Sequence, residues 1–201
     1  RLLVKLSSVV RISGEHLGYD LGACKHTINH VMISPDGSRF IFIHRFYISK
    51  RRYDVLFLGN RSGSLEVLTA SGLVSHCCWL GAHQVFGYMK GPDGGLAYWE
   101  VDIDSMKWNR LHFLDDFGDG HPTLFQRKLV LDCYPDKARL QHLYMIDLDE
   151  QTVIDLGSFS HGFDFSGLSR CDLHPRFGSD GSLVFVDSVS EGKRALYALR
   201  V

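Results

Sequence analysis

Four of the chain's eleven histidines stand at matching places in its pattern. His30, His76, His121 and His174 each open a similar segment: HVMISPDGSRFIFIHR, HCCWLGAHQVFGYMK, HPTLFQRKLVLDCY and HPRFGSDGSLVFVDS. Neutral imidazoles gathered at one opening suit a borderline divalent metal such as Mn, Fe, Ni or Zn. The same four rings can instead serve the repeat itself, each bonding the backbone of a neighbouring unit.

Two of the four have an aspartate two residues earlier, Asp119 before His121 and Asp172 before His174. Along an extended strand, residues i and i+2 face the same side. Each pair can therefore offer a carboxylate and an imidazole together, the carboxylate acting as a ligand or orienting the ring N–H. A turn-capping role is the competing reading of both aspartates. The metal set read from these patterns is His30, His121, Asp172 and His174.

Helical periodicity is scarce, so strands must position these groups. Short apolar runs rich in aromatic and branched residues recur: FIFIH, DVLFLG, VFGYM, LAYWEV, LVLDCY, LYMIDL, LVFVDS and ALYAL. They are bounded by Gly, Asp, Asn and Ser, with PDG, PDGG and SDG turn signals between them. The repeat interval of about 45 to 53 residues, holding four short strands, is that of a β-propeller blade. The fold class is therefore all-β, one domain over 1–201 with blade-like units starting near 30, 76, 121 and 174. The fourth unit ends after its third strand, and residues 2–12 (LLVKLSSVVRI) are expected to supply a closing strand. The chain opens on Arg1, without an initiator Met. Rings of six or seven blades being commoner, the four units are expected to stand alone or to form the C-terminal part of such a ring.

The totals narrow the function. A formal charge of −1 argues against a nucleic-acid partner, which needs a concentrated basic face. No run approaches the length of a membrane-spanning helix, so no membrane insertion is expected. Five cysteines without C-x-x-C spacing read as buried thiols of a reducing compartment, which places the chain in the cytoplasm. Trp79, Trp99 and Trp108 are core residues or sugar platforms.

The segment H-x-x-x-S-P-D-G followed by an I-x-F strand resembles the TolB-type propeller repeat. With its recurring histidines and a last unit beginning HPRF, the chain is also similar to the oligogalacturonate lyase family of seven-bladed propellers. That resemblance implies a divalent metal, Mn foremost, with His121 and His174 among its ligands, and His76 in the place of the catalytic base. Arg170 and Asp172 stand where the family has a Gln and a second His. The implied reaction is β-elimination on an acidic oligosaccharide. A base removes the proton beside a uronate carboxylate, whose charge a metal or an arginine must neutralise. His76 and Tyr134 are the proton-transfer candidates. Arg45, Arg170 and Arg176 can bind carboxylates with their planar forks, or form surface ion pairs. A non-catalytic propeller that binds a glycan or protein is the alternative.

Overall fold

The computed structural model describes residues 2–201, which fold into one α-helix, two single-turn 3-10 helices and fifteen strands. The apolar runs read from the sequence fall in the central strands of four antiparallel sheets, each a propeller blade, except ALYAL, which forms the edge strand of the last. Residues up to His112 form one compact unit and Phe113–Val201 a second. Among the described residues no helix is long and apolar enough to cross a membrane.

The first unit holds two blades. Its first sheet runs in the order β1 (His26–Ile33), β2 (Arg39–Ile48), β3 (Arg51–Asn60), β4 (Leu65–Thr69). The second is β5 (Val74–Trp79), β6 (Gln84–Lys90), β7 (Leu96–Asp102), β8 (Lys107–Arg110). The central strands are apolar on both sides because both faces are covered. Ile41, Ile43 and Leu56 of one sheet share a core with Val85, Met89 and Trp99 of the other. Trp79 donates from Nε1 to the Met32 carbonyl at 3.1 Å, and Trp108 packs against the same core. The tryptophans of this unit are thus core residues.

The SPDG turn follows from its residues. Asp36 accepts from the Ser34 hydroxyl (2.6 Å) and from the Ser38 amide (3.1 Å) and hydroxyl (2.7 Å), while Gly37 takes φ 68°. Those bonds hold the Asp36 carboxyl well below the usual carboxylate range. The fourth blade repeats the device: Asp180 accepts from the Ser182 amide and hydroxyl, beside Gly181 at φ 74°.

The second unit holds the sheet β9 (Pro122–Phe125), β10 (Lys128–Asp132), β11 (Leu140–Asp147), β12 (Thr152–Ser160). Its other sheet has three strands, β13 (Arg176–Phe177), β14 (Leu183–Ser188) and β15 (Ala195–Arg200). Val130 and Leu143 pack with Leu173, Val184 and Val186 to join the two sheets. Thr123 Oγ1 donates across to the Pro175 carbonyl at 2.6 Å.

One expectation is corrected. Residues 2–12 supply no strand: Leu6–Leu17 is the helix α1, ended by Gly18 at φ 71°. Its branched pairs suggested a strand, but Val9, Val10, Ser13 and Leu17 recur at helical spacing. Val9 is buried against Phe42, Phe46 and Phe57 of the first blade. Gly14 lets the chain fold back under the helix, since a Cβ there would meet the Tyr19 carbonyl oxygen at 2.7 Å.

Candidate functional site

Each of the four recurring histidines sits where the regular pairing of its blade's first strand breaks or has yet to begin. His30 has φ 51° and lies in the register shift between Asn29 and Met32; His76 lies in the shift between Val74 and Cys77. The two rings meet edge to face at 5.1 Å within the first unit. His121 directly precedes β9, and His174, at φ 42°, stands just before β13. Their rings meet at 4.0 Å within the second unit. The fourfold sequence pattern therefore resolves into one pair per unit.

The second pair is the core of a larger cluster. Ligand atoms of His121, Asp172 and His174 lie within 4.8 Å of one another, spacing that a single cation can span. His30 belongs to the other unit and is not in this group. Asp119 is not in it either, although its negative charge is felt at Tyr134. The way Asp172 and His174 meet also departs from the strand geometry expected. The left-handed backbone at His174 brings the two side chains together, not the alternation of a pleat.

Asp132 explains why the pair is where it is. This aspartate ends β10 with a side chain 1% exposed. Its Oδ1 accepts from the His121 amide (2.6 Å) and from His121 Nδ1 (2.9 Å), and its Oδ2 accepts from the His174 amide (3.0 Å). One buried carboxylate thus fixes both histidine segments. With Nδ1 of His121 committed to the carboxylate, Nε2 is the atom a metal would take, in the arrangement common to metal-binding imidazoles. Gly120 makes the approach possible: a Cβ there would fall 1.8 Å from the Asp132 carbonyl oxygen.

Arg170 and Tyr134 complete the cluster. Arg170 holds Asp172 through two bonds, Nε to Oδ1 (2.9 Å) and Nη2 to Oδ2 (2.6 Å). Its guanidinium lies 4.6 Å from the centroid of the Tyr134 ring, which in turn meets the His121 ring edge to face at 5.8 Å. Burial, helped by the charge of Asp119, raises the Tyr134 phenol above its ordinary value, so it stays protonated as a donor. Desolvation, with the His121 ring adding to it, pushes the His174 imidazole down, so it is neutral and able to ligate near neutral pH. Among the described residues no hydrogen bond engages the His174 ring.

The remaining sequence candidates have other settings. Arg45 donates from Nε to Asp54 at 2.6 Å, and Arg52 donates to the other oxygen of the same fully buried carboxylate. Asp54 Oδ2 also accepts the Val74 amide, tying the first blade to the second. The structure thus gives Arg45 a place inside a buried ion-pair network of the first unit. Arg176 forms an exposed ion pair with Asp187 at 3.2 Å, which Arg194 joins at 3.6 Å. His76 accepts or donates at Nδ1 to the Ser75 hydroxyl, 3.1 Å away. All five cysteines are free thiols, and burial raises those of Cys78 (to about 12), Cys133 and Cys171.

Asp132 went unnamed among the sequence candidates. The signal that could have found it is an aspartate closing the apolar run LVL, where a charge must be matched inside the fold.

No protein-family model matches the chain, and no curated protein matches it. Among solved structures it is similar to an oligogalacturonate lyase in complex with manganese, with a TM-score of 0.52 at 14% identity. That match covers 89% of this chain and 66% of the lyase. A putative TolB from Agrobacterium tumefaciens gives a TM-score of 0.56 at 14% identity, over 87% of this chain and 58% of the other. Puromycin hydrolase gives 0.57 at 11% identity, over 87% of this chain and 27% of the hydrolase. The chain thus spans under two thirds of the length of each of these proteins. At such identities the likeness establishes the β-propeller fold and nothing finer.

Proposed function

We propose that the second unit carries a metal-assisted site acting on acidic oligosaccharides by β-elimination. The observation that carries this reading is the convergence of His121, Asp172 and His174 around a space fit for one ion, with Asp132 bracing the two histidine segments from behind. Two imidazoles and one carboxylate form a mixed donor set that suits Mn, Zn, Fe or Ni, and the similarity to a manganese-bound lyase favours Mn. His121 through Nε2, His174 and Asp172 would hold the ion. Once bound it would supply positive charge to offset a uronate carboxylate, making the adjacent C–H more acidic.

The chain's own groups then have definite tasks. Arg170 adds a second positive charge beside the group and suits a carboxylate, with its fork already oriented by Asp172 and Tyr134. Tyr134, kept protonated, would donate a proton to the departing oxygen. Asp132 sets the tautomer of His121. The C–H proton would pass to a general base, for which His76 is the candidate from the sequence; His76→Ala tests it by loss of product with Mn binding kept.

One observation favours the alternative of a non-catalytic binding propeller. Both oxygens of Asp172 are already engaged by Arg170, a pairing that stands without any ion. One experiment separates the two readings: incubation of the Mn-loaded protein with a panel of uronate oligosaccharides, followed by the ultraviolet absorbance of the unsaturated product. Product that disappears in His121→Ala and His174→Ala supports the lyase. Glycan binding without product, unchanged in those variants, supports the binder.

A further inference from the structure

Three polar side chains of the third blade, none of them in the metal cluster, are joined in one line of hydrogen bonds. Ser158 Oγ lies 2.9 Å from His142 Nδ1, and His142 Nε2 lies 3.4 Å from Asp136 Oδ2. His142 of β11 and Ser158 of β12 stand directly opposite each other across the two strands. The pairing slips just beyond them, between Leu143 and Tyr144, where Gly157 takes φ 134°. A bulge of this kind re-aims the side chains beside it. Asp136 comes from the loop between β10 and β11, which it closes itself. Its amide donates to the Leu140 carbonyl and its Oδ1 accepts the Leu140 amide, each at 2.9 Å. Oδ2 is left for His142.

The direction of each proton follows from these contacts. The Leu140 amide foremost, and His142 after it, hold the Asp136 carboxyl below the ordinary carboxylate range, so it is ionised and only accepts. The neutral His142 ring therefore carries its proton on Nε2 and has its lone pair on Nδ1. The Ser158 hydroxyl must donate to that lone pair. A hydroxyl bonded to an imidazole whose far nitrogen is held by a carboxylate is the arrangement that makes a serine nucleophilic. Ser158 is exposed on the outermost strand of its sheet, and among the described residues its Oγ makes no other hydrogen bond. A second serine–histidine contact, between Ser13 and His44, lacks both features. Its groups are fully buried, and its far nitrogen meets His26 in place of a carboxylate.

We propose that Ser158 is the nucleophile of a second site, one that cleaves small, unhindered acyl esters, with His142 as its base and Asp136 as the residue that positions the ring. Ser158 Oγ bonds to the ester carbonyl carbon as its proton passes to His142 Nδ1, and Asp136 stabilises the imidazolium. The C–O bond to the alcohol then breaks, and the alcohol leaves with that proton. Water, giving a proton to the same Nδ1, adds to the acyl carbon. The acid departs as the proton returns to Ser158. No residue of this sequence is shared with the metal cluster, so the proposal stands apart from the elimination reading.

The test uses the whole chain after chelator treatment. It is exposed to a fluorophosphonate probe, which bonds to an activated serine with loss of fluoride, and is assayed separately with p-nitrophenyl acetate. Mass spectrometry is expected to find the label on Ser158, and Ser158→Ala is expected to lose both label and ester hydrolysis. His142→Gln should slow labelling about 100-fold. Asp136→Asn keeps an oxygen for the Leu140 amide but removes the charge facing His142, and should slow labelling about tenfold or more. Asp136→Glu, which restores the carboxylate, should recover most of that loss. The three side chains reach solvent, so all four variants are expected to keep the wild-type midpoint of urea unfolding. A wild-type chain with no label on Ser158 overturns the proposal, as does unchanged labelling in His142→Gln or Asp136→Asn. Ester hydrolysis that persists in Ser158→Ala assigns the reaction to an imidazole acting alone and overturns it as well.

Discussion

The two units of the chain hold two histidine networks of opposite design. In the first, Ser13 of α1 and His44 and His26 of the first blade form a closed relay. The Leu21 carbonyl can only accept, so His26 carries its proton on Nε2 and accepts at Nδ1 from His44 Nε2–H, 3.0 Å away. His44 Nδ1 must then accept from the Ser13 hydroxyl at 2.7 Å. All four ring nitrogens are spent on holding a helix to a sheet, and Ser13 and His44 are fully buried. In the second network, Asp132 takes one nitrogen of His121 and the ring of the exposed His174 makes no hydrogen bond among the described residues. Residue type is the same in both networks. What separates a fastener from a candidate metal site is whether the ring nitrogens end on the protein.

The comparison breaks or sharpens by substitution. The largest effect is expected at the two buried aspartates. Asp132→Asn should lower Mn affinity about 10- to 100-fold, because the carboxylate that orients His121 is gone. Asp54→Asn should leave Mn affinity unchanged while costing about 1–3 kcal/mol of stability in denaturant unfolding. Similar losses of Mn affinity in both variants would erase the distinction between the networks.

The relay should also respond to acid. Burial, with the neighbouring His26 adding to it and Asp54 opposing, lowers the His44 pKa from 6.5 to about 4. The unfolded chain therefore takes up a proton at His44 that the folded chain refuses. Stability is full above pH 6.5 and falls as the pH drops from there towards about 4, where the loss levels off at roughly 3 kcal/mol. Urea unfolding across that window should show the decline in the wild type and a shallower one in His44→Gln. Parallel declines would mean that His44 does not carry the effect.

Two smaller effects complete the series. Ser13→Ala leaves a buried acceptor at His44 Nδ1 without its donor and should cost about 1–3 kcal/mol by the same unfolding measurement, with no change in Mn binding. Arg176→Ala removes an exposed ion pair to Asp187 and should cost less than about 1 kcal/mol. A larger loss there would give Arg176 a role that its surface setting does not explain.

The blades were legible because their central strands are apolar on both faces and their turns carry their own signature. FIFIH, LVLD and LVFVDS fall in β2, β10 and β14, and SPDG is a turn closed by its own aspartate. The helix α1 was not legible as a helix, because its branched residues also suit a strand and no acidic residue or side-chain cap marks its first turn. Within the candidate site, His121, Asp172, His174, Arg170 and Tyr134 were all named from the sequence and are brought together by the fold. Asp132 was missed since its partners lie 11 and 42 residues away, and its one local signal, a charge closing the apolar run LVL, was not used. The relay was invisible for the same reason: Ser13 and His44 are 31 residues apart, and His44 sits inside a strand that reads as core. Repeat logic went astray in one respect. It treated the four histidines as equivalent, whereas blade-by-blade differences at the strand breaks divide them into two pairs.

The central claim, that the second network is a metal site, is tested most directly by equilibrium titration of the chelator-treated protein with Mn²⁺. One ion per chain is predicted for the wild type and for His30→Ala, with binding lost in His121→Ala and in His174→Ala. A wild-type protein that takes up no Mn²⁺, Zn²⁺, Fe²⁺ or Ni²⁺, or one whose binding survives both of those substitutions, would contradict it.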